Sequence, residues 1–141
     1  FPQIQKEHLY SDAAAQELVL NPNRFDVLVM ENFIGDILSD LGGATVGGIG
    51  LCSSGNIGDE HAYFEPIHGS APDIAGMDKA NPISQILTLA MMYDYLGEIS
   101  AGDAIRIAVN DALRSGELKI NRLGQPESGT ARAGEIIANM I

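Results

Sequence analysis

The stretch Glu31-Asn32-Phe33-Ile34-Gly35-Asp36-Ile37-Leu38-Ser39-Asp40 constrains this chain more than any other. It follows the apolar run Phe25-Asp26-Val27-Leu28-Val29-Met30, which reads as a buried strand running into a polar loop. Gly35 permits a tight turn, and Asp36 stands where a helix N-cap or first-turn carboxylate is favoured. With residues 36–46 helical, Asp36 and Asp40 are four apart and share one face. Such a like-charge pair costs an isolated helix on the order of a few tenths of a kcal/mol. A hard divalent cation, Mg²⁺ or Mn²⁺, is the natural compensator, because it is often held by one or two carboxylates together with substrate oxygens. The same spacing also suits a plain cap followed by a solvated helix residue, so other stretches have to decide.

At 141 residues, 45% of them hydrophobic and 19% charged, the chain reads as a globular domain with a real core. Its 19 acidic and 8 basic residues leave a net charge of −11, which argues against a nucleic-acid backbone or an anionic membrane surface as partner. The single Cys52 cannot form an internal disulfide. No apolar run approaches a membrane span and no signal segment opens the chain; the lone cysteine fits a reducing compartment, and a cytoplasmic location is expected. The first residue is Phe1, so processing and a longer parent chain are both open.

Helices are expected over residues 11–20, 83–96, 101–115 and 131–141, from helix-forming composition and apolar residues at helical spacing. Asn21-Pro22-Asn23 stops the first, and Gly97 and Gly116 close the second and third. Residues 62–67 read as a short strand that Pro66 ends or pushes to an edge, and residues 53–59 as a polar turn. Residues 42–50 are glycine-dense but lack the strand-Gly-x-Gly-x-x-Gly-helix order of a dinucleotide fingerprint, since Ser53 stands three beyond Gly50. Residues 68–76, His68-Gly69-Ser70-Ala71-Pro72-Asp73-Ile74-Ala75-Gly76, form a small-residue loop whose backbone can approach a ligand closely. Taken singly, His68 and Asp73 read as structural. Pro82, after Asn81, suits the first turn of the following helix.

Taken together, these motifs resemble the β-decarboxylating dehydrogenases of 2-hydroxy acids: the 3-isopropylmalate, isocitrate, homoisocitrate and tartrate dehydrogenases. The resemblance runs from Asp12 through Phe25-Asp26-Val27 and the 31–40 stretch to Ser54-Gly55-Asn56-Ile57-Gly58-Asp59. It continues through Phe64-Glu65-Pro66-x-His68 to Gly76 and ends on Ala80-Asn81-Pro82, covering nearly the whole chain. It implies an α/β fold of isocitrate/isopropylmalate dehydrogenase type, distinct from a Rossmann fold and present here as its C-terminal part. Residues 1–47 would belong to a small, dimer-forming domain, and residues 48–141 to the C-terminal half of a large, cofactor-side domain.

The resemblance further implies that Asp36 and Asp40 ligate Mg²⁺ or Mn²⁺, with Asp12 supplied to the neighbouring site by a two-fold partner subunit. The loop His68, Gly69, Ser70, Ala71, Pro72 and Asp73, with Asn81, would bind the adenosine half of the cofactor. Asp73 would accept the ribose hydroxyls, so NAD is expected over NADP. The implied activity is metal-dependent oxidation and decarboxylation of a 2-hydroxy diacid. Glu31-Asn32 and Glu65-Pro66 lean mildly toward 3-isopropylmalate, with isocitrate and homoisocitrate as alternatives. Complete members carry their catalytic tyrosine, catalytic lysine and substrate arginines upstream of the matching segment, and no residue here takes those roles. The chain alone is therefore expected to be inactive, to bind metal weakly, and to associate or dissolve poorly through uncovered apolar faces. A reading of another class, a non-catalytic or dimerisation module derived from such an enzyme, stands beside this one.

Overall fold

The computed structural model describes residues 1–141 and divides into two units, Phe1–Val46 and Gly47–Ile141. No helix is long and apolar enough to cross a membrane.

The first unit pairs two helices. Helix α1 (Ser11–Leu20) is built on the Ala13-Ala14-Ala15 run and stops where the Asn21 amide donates to the Glu17 carbonyl, just before a 3₁₀ turn at Pro22–Arg24. Arg24 ties the N-terminal segment to α1, donating to the Glu7 carboxylate at 2.8 Å and reaching Glu17 at 3.2 Å. The hydrogen bond to Glu7 is the main reason the guanidinium pKa is raised. Helix α2 (Asn32–Thr45) begins four residues earlier than the sequence suggests. The Glu31 carboxylate caps it by accepting the Phe33 amide (2.9 Å) and the Ile34 amide (3.3 Å), two donors a helix start leaves open. Gly35 and Asp36 therefore lie inside the helix, and Asp36 caps nothing. Leu38 buries against Ala14 and Leu18, with Phe25, Met30, Ile34 and Leu41 around them.

Residues 25–30 correct a second expectation: they form no strand. A strand needs a partner ladder for its N–H and C=O groups, and this unit contains no other strand to supply one. Val27 and Val29 are 79% and 93% exposed as a result.

The second unit begins with a hairpin. Strand β1 (Ser53–Ile57) pairs antiparallel with β2 (Ala62–Pro66), so most of the 53–59 stretch expected as a polar turn is strand. Only residues 58–61 turn, the Gly58 amide donating to the His61 carbonyl. Pro66 is the last residue of β2, consistent with its missing donor. Helix α3 (Ile83–Tyr95) packs on this hairpin, and its buried Thr88 and Ser84 hydroxyls donate to the Glu65 and Cys52 carbonyls. Gly55 allows the approach, since a Cβ there would lie 2.8 Å from the Met91 sulfur. A Schellman motif ends α3: Glu98 N–H bonds the Tyr93 carbonyl and Gly97 N–H the Asp94 carbonyl, with Gly97 at φ 85°. Helices α4 (Ile99–Ser115) and α5 (Thr130–Ala138) complete the core, in which Ile83, Val109, Leu118, Ile136 and Ile137 are buried together.

Candidate functional site

A cleft of about 840 Å³ opens in the second unit. One wall is the segment 68–81. It is contorted: Ala71 has φ 43° and Asp78 φ 56°, both in the left-handed region that side-chain-bearing residues seldom adopt. His68, Gly69, Ser70, Ala71 and Asn81 line the cleft. Pro72 and Asp73 do not; they begin the 3₁₀ turn Pro72–Ile74, and only Ile74 of that turn reaches the lining. The exposed Asp73 carboxylate holds no protein donor.

The opposite wall is one that sequence reading missed. Leu123, Gly124 and Gln125 form it, shaped by Asn121, whose side-chain oxygen accepts the Leu123 amide (2.9 Å) and the Gln125 amide (3.1 Å). An asparagine three residues before a glycine in a loop was the available signal for such a turn. Gly48, Ile49 and Gly50, set aside as a false dinucleotide fingerprint, also line the cleft. A Cβ on Gly50 would sit 3.1 Å from the Asn81 side chain, so the glycine serves close packing.

Asn81 joins the walls. Buried to 9% exposure, it accepts the Ile83 amide at 3.0 Å and donates to the Gly124 carbonyl at 2.9 Å. One side chain thus starts α3 and holds the two loops together. Lys79 brings the only lysine or arginine charge to the lining and makes no ion pair. A pocket with glycine-rich walls, free backbone amides and one cation suits an elongated polar ligand carrying phosphate.

The first unit holds the other candidate group. Asp36 and Asp40 stand one turn apart on α2, both exposed, on the side away from the buried Leu38. Neither carboxylate has a cationic or hydrogen-bonding partner in the protein. Two uncompensated carboxylates at this spacing fit part of a hard-cation cage. Asp12 sits in the first turn of α1, where its side chain accepts the Ala13 amide at 2.8 Å. No three His, Cys, Asp or Glu residues gather into a metal-holding group, so the three aspartates are not brought together within the chain.

Tyr63 donates to Glu65 at 3.0 Å, and that hydrogen bond raises the phenol pKa above its ordinary value, which unsuits it to proton transfer near neutrality.

The chain is thus an α/β protein with a glycine-walled cleft outside the Rossmann pattern and an unpaired i, i+4 aspartate couple. Residues 1–137 match the isocitrate/isopropylmalate dehydrogenase family, and the chain belongs to it. It is 53% identical over 116 residues to the isocitrate/homoisocitrate dehydrogenase of Thermus thermophilus, covering 82% of this chain and 35% of that one. It is 49% identical over 115 residues to the 3-isopropylmalate dehydrogenase of Salinibacter ruber, covering 82% and 32%. Among solved structures, isocitrate dehydrogenase from Methylococcus capsulatus superposes with a TM-score of 0.90 at 40% identity, over 99% of this chain and 42% of that one. The chain thus spans about a third of the length of the curated relatives it matches.

Proposed function

We propose that this chain is the cofactor- and metal-holding portion of an NAD-dependent oxidoreductase that oxidises and decarboxylates a 2-hydroxy diacid. The single observation that carries this reading is the cleft between residues 68–81 and 123–125, in a member of a dehydrogenase family. The adenosine half of NAD would lie along His68, Gly69, Ser70 and Ala71, with backbone amides and Lys79 facing its phosphates. Asp73 stands unpaired beside the lining, free to accept ribose hydroxyls. Its charge would repel a 2′-phosphate, which favours NAD over NADP.

Asp36 and Asp40 would hold Mg²⁺ or Mn²⁺. Bound there, the ion would polarise the substrate's 2-hydroxyl and neighbouring carboxylate and stabilise the enolate left after CO₂ departs. Asp12 would serve the equivalent site of a second subunit. Residues 1–47 would form part of a small, dimer-making domain, and residues 48–141 the cofactor side of a large one. A dimer also accords with burial in the first unit, where Tyr10, Phe33 and Ile37 are exposed and only Ala14, Leu18 and Leu38 are buried apolar residues.

The relatives' names divide among isocitrate, homoisocitrate and 3-isopropylmalate, so the proposed substrate class is the 2-hydroxy acid with a 3-substituted malate unit that these three share. Glu31-Asn32 and Glu65-Pro66 lean mildly toward 3-isopropylmalate within that class; Glu31 also caps α2, and Glu65 accepts from Tyr63. The full-length protein should reduce NAD with at least one of these three 2-hydroxy acids in a metal-dependent reaction that releases CO₂. Absence of turnover with all three, with either NAD or NADP and Mn²⁺ present, would contradict this reading.

A further inference from the structure

Asp78 contributes to a contact that the cofactor-loop reading leaves unused. It lies in the left-handed region at φ 56°, where a non-glycine residue persists only if its surroundings hold it. Helix α5 supplies that hold. Its own N-cap, Gly129, has no side chain to satisfy the open amides of the first turn. Asp78 satisfies two of them from across the fold: its backbone carbonyl accepts the Thr130 amide (3.1 Å), and its carboxylate accepts the Ala131 amide (2.9 Å). The Thr130 hydroxyl donates back to the Ala80 carbonyl. Gly129 must stay a glycine here, because a Cβ would collide with the Asp78 carboxylate. The carboxylate also meets the positive end of the α5 dipole.

Asp78, Ala80 and Thr130 all line the cleft. The clamp is therefore part of the cleft's geometry. We propose that Asp78 is a positioning residue: by capping α5 in place of an N-cap side chain, it fixes the contorted 68–81 loop in its nucleotide-receiving shape and couples nucleotide affinity to the seating of α5. This inference rests on the NAD reading of the cleft.

Three substitutions in the full-length protein separate the contributions. Asp78→Asn keeps an acceptor and tolerates the left-handed conformation, Asp78→Gly keeps the conformation and removes the acceptor, and Asp78→Ala removes both advantages. With NAD as the calorimetric probe, Asp78→Gly and Asp78→Ala should weaken binding about three- to tenfold, the size expected for losing one cap, while Asp78→Asn stays within about twofold. Amide exchange at Ala131 should quicken in the Gly and Ala variants and stay slow in the Asn variant. Unchanged NAD affinity in Asp78→Gly, with the Ala131 amide deprotected, would overturn this inference alone. Equal weakening in Asp78→Asn and Asp78→Gly would overturn the capping role. Failure of the unsubstituted protein to bind NAD would overturn the nucleotide reading and this inference with it.

Discussion

The Asn81 side chain donates to the Gly124 carbonyl at 2.9 Å across 43 residues of sequence, and this one bond joins the two walls of the cleft. With its oxygen also capping α3 at Ile83, Asn81 retains one amide hydrogen and one oxygen lone pair for a ligand. Its two protein bonds set the geometry of the cleft.

Asn81→Ala removes both bonds at a buried position, and should destabilise the fold by about 1–3 kcal/mol. Asn81→Asp keeps the acceptor for Ile83 but sets a carboxylate against the Gly124 carbonyl, so it should recover little of that loss. Urea unfolding of both variants checks the ordering; full stability in Asn81→Asp would show that the Gly124 bond contributes nothing.

Glu31→Ala should cost about 1 kcal/mol, because two first-turn amides of α2 lose their acceptor. Glu31→Gln, which keeps a side-chain oxygen, should restore most of it. Thermal unfolding of the pair provides the measurement, and an unaffected alanine variant would count against the cap.

Asp40→Asn should have opposite effects with and without metal. In chelator it removes like-charge repulsion with Asp36 and should raise stability by about a few tenths of a kcal/mol. Mn²⁺ should raise the unfolding midpoint of the unsubstituted protein, since ligands that bind the native state stabilise it, and Asp40→Asn should lose that gain. Equal Mn²⁺-induced shifts in both proteins would remove Asp40 from the metal site.

Gly102→Ala sets two effects against each other. Alanine gains about 1 kcal/mol in helix propensity. Its Cβ, however, would lie 2.9 Å from the Ala90 carbonyl of α3 and against Asp94, the ion-pair partner of Arg106. A backbone contact cannot swing aside, so overpacking should win and cost a net 1–3 kcal/mol or thereabouts, roughly the range for such substitutions. A stabilised variant in urea would mean that α3 and α4 separate easily.

What the sequence made legible was what is local. The alanine run of α1, the apolar spacing of α3 and the glycines at 97 and 116 each carry their structure within a few residues. The run at residues 25–30 misled because strand propensity becomes a strand only beside another strand. Ser53–Ile57 misled the other way: its composition says turn, and pairing with Ala62–Pro66 overrides it. The 68–81 wall was visible from its small residues. The 123–125 wall was not, because Asn81 brings it in from 43 residues away, and the Asp78 clamp spans 53.

The most direct measurement is a titration of the full-length protein with NAD, following backbone amide resonances. Shifts gathered at residues 68–81 and 123–125, far weaker with NADP and reversed in preference by Asp73→Lys, are the expected result. Shifts scattered outside the cleft, or a cofactor preference indifferent to Asp73→Lys, would contradict the assignment of this cleft to NAD.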